Sequence, residues 1–384
     1  MSALTLPGFA NCHSHAFHRA LRGRTHDGEG DFWTWREQMY AVAERLDPDN
    51  YYALARATYR EMLAAGYTSV GEFHYVHHQP DGTAYDDPNA LGLALVAAAD
   101  DAGIRIRLLD TCYLAAGFGR PPQGVQRRFT DGDAERWAER FEELRSAVGD
   151  AKVGAAIHSV RAVPAEQLGV VVQAAAGLPL HVHLSEQPAE NDACLAATGR
   201  TPTQLLYEAG ALGPQTTAVH ATHLTETDIA LLGGTQTRAC LCATTERDLA
   251  DGIGPAPALR DAGAVITVGS DSHAVIDAFE ETRAVELDNR LATGRRGTFS
   301  AAELIAMGTC HGHASLGIEE SGEVELDPQS PRLAGLTAAD SDAALFAASA
   351  ADVVRVRLGD RILYDGDAAT NADDLSRSIG AVLP

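Results

Sequence analysis

Two histidines one residue apart, His13 and His15, open the set of side chains that could do chemistry in this chain. In an extended segment, side chains at i and i+2 project to the same face, so both imidazoles can reach one metal ion. The spacing recurs at His181 and His183, and Glu186 follows three residues later, placing a carboxylate beside any bound water. His220 closes a later β-branched run, and Gly269-Ser270-Asp271-Ser272-His273 closes another. An isolated His-x-His is a weak signal, whereas imidazoles and carboxylates at four separate strand ends form a specific set. Neutral imidazoles with a carboxylate suit one divalent metal, Zn²⁺ foremost, with iron or manganese as alternatives. Such an ion lowers the pKa of bound water toward about 7 and supplies hydroxide at neutral pH. The chemistry to expect is therefore hydrolysis.

Side chains so far apart in the chain must be delivered by a repeating scaffold. Short β-branched runs end at Asn11, Phe73, Asp110, Ile157, Leu184, Ala221, Leu241 and Gly269. They alternate with alanine-rich helical stretches such as Asp49–Ala65, Asn89–Ala102, Ala134–Val148 and Thr225–Leu232, the last opened by a capping pair, Thr225 and Asp228. This alternation predicts a parallel sheet with helical crossovers, and eight strands predict closure into an α/β fold, a TIM-like (β/α)8 barrel. The polar residues fall at the carboxyl ends of the strands, where such barrels carry their chemistry. Residues 1–318 are assigned to that barrel. Residues 319–384 are acidic and punctuated by Pro and Gly, with alternating patches at Val353–Leu358 and Arg361–Tyr364. They predict a small, partly reduced β appendage at the C-terminus.

Composition narrows the partners. The 384 residues are 45% hydrophobic and 22% charged, ordinary for a globular chain with a large core. A formal net charge of −23 repels nucleic acid and anionic membranes, so neither is expected as a partner. An anionic substrate would need local arginines to overcome that sign. No apolar run is long enough to span a bilayer, and the first ten residues lack a signal-peptide pattern, so a cytoplasmic location is the default. The six cysteines form no C-x-x-C pair; Cys240 and Cys242 read as small buried apolar residues.

The order H-x-H, histidine on the fifth strand, histidine on the sixth and aspartate on the eighth resembles the amidohydrolase superfamily, above all its one-metal deaminase branch, where H-x-x-E follows the fifth strand. Longer segments resemble the formimidoylglutamate deiminase family: Pro7-Gly8-Phe9 before His13-Ser14-His15-Ala16-Phe17, Phe32-Trp33-Thr34-Trp35-Arg36-Glu37, His158-Ser159-Val160-Arg161, His183-Leu184-Ser185-Glu186-Gln187 and the Asp271 segment. The resemblance runs from Pro7 to Gly317. It implies one metal on His13, His15, His183 and Asp271, with Asp271 also the base, Glu186 the proton carrier and His220 a hydrogen-bonding stabiliser rather than a ligand. It implies Arg36 and Arg161 for the two carboxylates of a small anionic amidine, with Tyr75 and His158 as further contacts. The implied activity is hydrolysis of N-formimino-L-glutamate to N-formyl-L-glutamate and ammonia, a step of bacterial histidine degradation, by a homodimer. Two departures stand out. His18 occupies a substrate-contacting position where the family has glutamine, and the several dozen residues of β structure that usually precede the barrel are missing.

Other side chains invite simpler readings. His74, His77 and His78 read as an exposed loop, His181 as a hydrogen-bonded interior residue, and His223 as packing near the sixth strand. His273 could orient Asp271, and His311 and His313 fall on a late helix away from the site. Phe32, Trp33 and Trp35 read as a lid over the pocket. The same chemistry on another amidine, guanidine or heterocyclic amine is the alternative activity, and an inactive scaffold is a third reading.

Overall fold

Strands buried on both faces read as continuous apolar runs rather than alternating ones, and the barrel here is built from such strands. The computed structural model describes residues 4–26, 32–319, 322–366 and 369–383, without the side chains of residues 32, 33, 369 and 370. A short strand, β1 (Leu4–Pro7), precedes eight parallel ones: β2 (Phe9–Ser14), β3 (Tyr67–His74), β4 (Arg105–Cys112), β5 (Val153–Ile157), β6 (Leu180–Leu184), β7 (Thr216–His220), β8 (Arg238–Leu241) and β9 (Val265–Val268). They pair in sequence order, β2 through β9, each with the next, as right-handed βαβ crossovers require. Every residue of β2, β3, β5, β6 and β7 is buried. The crossover helices carry strong caps. Asp47 and Asn50 cap Pro48–Ala64 reciprocally, and Thr225 and Asp228 do the same for Glu226–Gly234.

The first and last barrel strands meet at the carboxyl end. Asp271 N–H donates to His13 O at 2.9 Å, and His15 N–H donates to Asp271 O at 3.3 Å. The approach is so close that a Cβ on Gly269 would sit 2.7 Å from the His13 nitrogen, so only glycine fits there. At the opposite end the helix Cys310–Ser315 plugs the barrel. His313 is buried in that plug, bonded to Ser69 Oγ and Gly8 O at 3.0 Å each, and His311 contacts Ile266 O at 3.3 Å. Cys12, Cys240 and Cys242 share a buried apolar cluster with Ala10, Val219 and Leu316.

A four-stranded antiparallel sheet lies beside the barrel, in the order β1-β10-β11-β12, where β10 is Glu323–Leu326, β11 is Val353–Leu358 and β12 is Arg361–Tyr364. Its strand at one edge comes from the other end of the chain: Leu4 pairs with Leu326 and Leu6 with Val324. Leu4 and Leu6 are buried while Thr5 and Pro7 are exposed, an alternation too brief to read as a strand from sequence. The carboxyl segment also holds helices the β reading did not foresee, Ser341–Ala347 and Ala369–Val382. The second packs on Pro48–Ala64, where Asp374 pairs with Arg60 at 3.2 Å and Arg56 at 3.5 Å. No helix among the described residues is long and apolar enough to cross a membrane.

Candidate active site

The loops beyond the strand ends converge on one cluster. His13 Nε2 lies 3.1 Å from His183 Nε2 and 3.1 Å from Asp271 Oδ1, and His15 Nε2 lies 3.3 Å from the same oxygen. With neutral rings, no proton is left to satisfy the His15–Asp271 contact. His15 Nδ1–H donates to Phe73 O and His183 Nδ1–H donates to His158 O, both at 2.9 Å. Each of those rings, when neutral, therefore turns a bare Nε2 lone pair inward. His15 Nε2 against Asp271 Oδ1 is then lone pair against lone pair, which repels unless a cation stands between. Two ligands about 2.1 Å from a tetrahedral ion lie roughly 3.4 Å apart, close to the separations here. Burial drives the same state, holding His13 down to about 4 despite the pull of Asp271, and His183 well below the usual histidine range. The donor set fits one divalent ion. His13, His183, His220 and Asp271 also offer ligand atoms within 4.8 Å of one another, so His220 borders the cluster.

His220 is nevertheless set apart from His13, His15 and His183. Its Nε2 stands 3.8 Å from Glu186 Oε1 and 3.9 Å from Asp271 Oδ2, and its Nδ1 stands 3.6 Å from Glu246 Oε1. Burial opposes its charge, but Glu186, Glu246 and Asp271 prevail and raise it to about 10. A cation among carboxylates suits an electrostatic stabiliser. Burial pushes the Glu186 carboxyl up to about 7, with His220 pulling the other way, so it can take and give a proton near neutrality.

The backbone at these strand ends is strained. Ser185, His220, Ala221, Asp271 and His273 all adopt left-handed φ, between 41° and 68°. Each such residue without glycine's freedom costs of order 1–3 kcal/mol, which the tight strand packing beneath sustains.

Above the cluster lies a chamber lined by His15, His18, Arg36, Tyr75, His158, Arg161, His183, Glu186, His220 and Asp271. His13 lies beneath, its ring edge-on to those of His15 and His183. His18 bonds Tyr75 Oη at 3.1 Å, and Trp35 packs edge-on against it. Trp35, Tyr40, Tyr113 and Phe129 supply aromatic walls. Trp35 thus fits the lid reading, while the side chains of Phe32 and Trp33 lie outside the described residues. Arg36 sits over the Tyr40 ring at 5.5 Å, and Arg161 Nε lies 3.4 Å from Glu190 Oε1.

The remaining histidines fall elsewhere. His181 is buried in the barrel, 3.4 Å from Ser315 O, and His223 bonds Asp251 O at 2.7 Å. His273 bonds Ser14 Oγ at 3.0 Å rather than Asp271. The reading of His74, His77 and His78 as an exposed loop is corrected: all three are buried. His77 bonds Thr111 O at 2.9 Å, and His78 meets Asp131 at 3.1 Å. Arg140 bridges Asp131 and Asp110, and Trp137 donates to Asp110 at 2.9 Å. Polar residues in that segment are buried because a neighbouring strand, loop and helix supply counter-charges and hydrogen bonds to them.

Glu72 was missed by sequence reasoning. Its two oxygens accept from Ser14 Oγ and Ala16 N, both at 2.6 Å, so it grips the chain on either side of His15. The available signal was a lone carboxylate inside the run Tyr67–His74, every residue of which is buried. Glu246 beside His220 and Glu190 beside Arg161 were also missed, because each lies on a helix distant in sequence from its partner.

These features define a class. The sequence pattern of the amidohydrolase family matches residues 4–327, and the chain belongs to that family, as a hydrolase acting on C–N bonds. Among particular relatives, it is 42% identical over 303 residues to a formimidoylglutamate deiminase of Pseudomonas aeruginosa, covering 77% of this chain and 67% of that one. It is 27% identical to a 5-methylthioadenosine/S-adenosylhomocysteine deaminase of Pelotomaculum thermopropionicum, over 97% of this chain and 83% of the relative. A crystal structure of an amidohydrolase from Brucella melitensis superposes with a TM-score of 0.90 at 31% identity, covering 99% of this chain and 90% of that one.

Proposed function

We propose that this chain hydrolyses N-formimino-L-glutamate to N-formyl-L-glutamate and ammonia. The observation that carries the reading is one chamber with a proton-handling trio, Glu186, His220 and Asp271, at its floor and two arginines, Arg36 and Arg161, in its wall. His13, His15, His183 and Asp271 would hold one divalent ion, Zn²⁺ foremost, which when bound supplies Lewis acidity and lowers the pKa of water toward about 7. Asp271 accepts the proton that the attacking water gives up as its oxygen adds to the formimino carbon. Glu186 carries protons to the terminal nitrogen, so the C–N bond breaks with ammonia leaving rather than an amide anion. His220 faces the charge that develops on the oxygen.

Recognition falls to the walls. Arg161 and Arg36 take the two carboxylates, since a planar guanidinium matches a carboxylate with two parallel hydrogen bonds. Tyr75, His158 and His18 add hydrogen bonds, and the aromatic wall excludes bulk water. The reading includes a cytoplasmic homodimer, which light scattering and cell fractionation test. The decisive assay is ammonia release from N-formimino-L-glutamate, with chelation and zinc restoration as controls. Strict preference for neutral amidines would defeat the reading, and a folded preparation that binds no metal would leave only a scaffold.

A further inference from the structure

The catalytic chamber shares Arg36, Ala116 and Arg161 with a second, outer recess of about 320 Å³, whose wall adds Arg120, Gln187 and Glu190. Arg36, Arg120 and Arg161 line it beside one carboxylate, Glu190, in a chain whose formal charge is −23. Arg120 belongs to the outer recess alone and is exposed.

Its presentation is built rather than loose. Ala116 N–H donates to Arg120 O at 2.8 Å and Arg120 N–H donates to Gly117 O at 3.0 Å, closing a tight turn. Gly117 and Gly119 supply the positive φ it needs, 149° and 67°. Pro121 and Pro122 follow and stiffen the exit. The chain carries 53 acidic residues against 30 lysines and arginines, yet no carboxylate among the described residues pairs with Arg120. A cation held out over a concave wall and left unneutralised focuses the field at that mouth. At physiological salt, charges beyond about 8 Å are screened, so the residues lining the approach outweigh the distant acids.

We propose that the outer recess is a carboxylate-docking site, in which Arg120 captures an anionic substrate before it passes Arg36 and Arg161 into the chamber. The inference rests on the anionic-amidine reading above and adds a specificity-determining residue to it. Glu190 sets a limit on the site: at 3.4 Å from Arg161 Nε it offsets that charge, so the docking role falls to Arg120.

The test is charge removal and charge reversal in the zinc-loaded enzyme. One unit charge about 7 Å from a carboxylate in watery surroundings is worth about threefold in encounter. Arg120→Gln should therefore lower kcat/KM about threefold, and Arg120→Glu, which changes the charge by two units, about tenfold. Both should leave kcat unchanged, and both deficits should shrink in about 1 M salt. Glutarate, a dicarboxylate that cannot react, should lose affinity in the same ratios by calorimetry. Equal effects of glutamine and glutamate would mean packing rather than charge and would overturn the proposal, as would a fall in kcat. If the wild-type enzyme does not turn over N-formimino-L-glutamate, the proposed function fails while the glutarate titration still reports on the recess. Equal glutarate affinity in all three proteins overturns the docking site, whichever substrate is correct.

Discussion

Replacing Arg161 by alanine separates two consequences of its position. Its Nε lies 3.4 Å from Glu190 Oε1, and 20% of the Arg161 side chain is exposed against 2% of the Glu190 side chain. Neither Glu190 oxygen accepts a hydrogen bond, so removing the arginine leaves a carboxylate buried without a counter-charge. Breaking a fully buried pair costs about 3–5 kcal/mol. Water reaching Arg161 screens this pair, and roughly 1–3 kcal/mol of fold stability is the appropriate figure. Loss of a charge-assisted contact to a substrate carboxylate costs about 2–4 kcal/mol of transition-state binding, or roughly 30- to 1000-fold in kcat/KM. The double variant Arg161→Ala with Glu190→Gln turns the stranded carboxylate into an amide. It should regain most of the lost Tm and none of the lost kcat/KM. Thermal denaturation reads the first quantity, and ammonia release from N-formimino-L-glutamate and from formamidine, which has no carboxylate, reads the second. If the single variant loses as much on formamidine as on the glutamate derivative, Arg161 does not bind a carboxylate. If the double variant regains activity, charge imbalance in the apoprotein was the cause of the loss.

The same geometry yields further expectations. Glu72→Ala frees the chain on both sides of His15 and should weaken zinc affinity about 10- to 100-fold, read by competition with a chelator; unchanged affinity would make Glu72 a spectator. Glu186→Gln should lower kcat by about 10²- to 10⁴-fold with zinc stoichiometry intact, and parallel loss of metal would instead make it a ligand. Because burial lowers the pKa of His13 to about 4, its imidazole stays neutral where an ordinary histidine gains a proton; zinc retention should therefore persist below pH 6 and fail nearer 4, as metal analysis after dialysis can show. His18→Gln keeps a hydrogen-bonding partner for Tyr75 and should change kcat/KM by less than about threefold if that contact only positions the phenol.

Much of the barrel was legible because short β-branched runs alternate with alanine-rich helical stretches, and the carboxyl ends of the runs carry the conspicuous residues. The expected ends at Ile157, Leu184 and Leu241 coincide with those of β5, β6 and β8. The imidazoles were legible because His-x-His requires only local geometry. What escaped depends on partners distant in sequence. The buried state of His74, His77 and His78 rests on Asp110, Asp131 and Arg140, from a neighbouring strand, loop and helix. Glu72 reveals its grip on Ser14 and Ala16 only once β2 and β3 are in register. Strand β1 has only four residues, so its pairing with β10 is what exposes it.

The bonds that join the two ends of the barrel are made by the very residues that would hold the ion. His13 and Asp271 stand at nearly opposite ends of the barrel sequence and exchange backbone and side-chain contacts at one seam. A cation there would act as a rivet across the seam that closes the barrel. Metal supply would then govern how long the folded protein survives in the cell as well as how fast it turns over, and starvation for zinc would deplete the polypeptide itself.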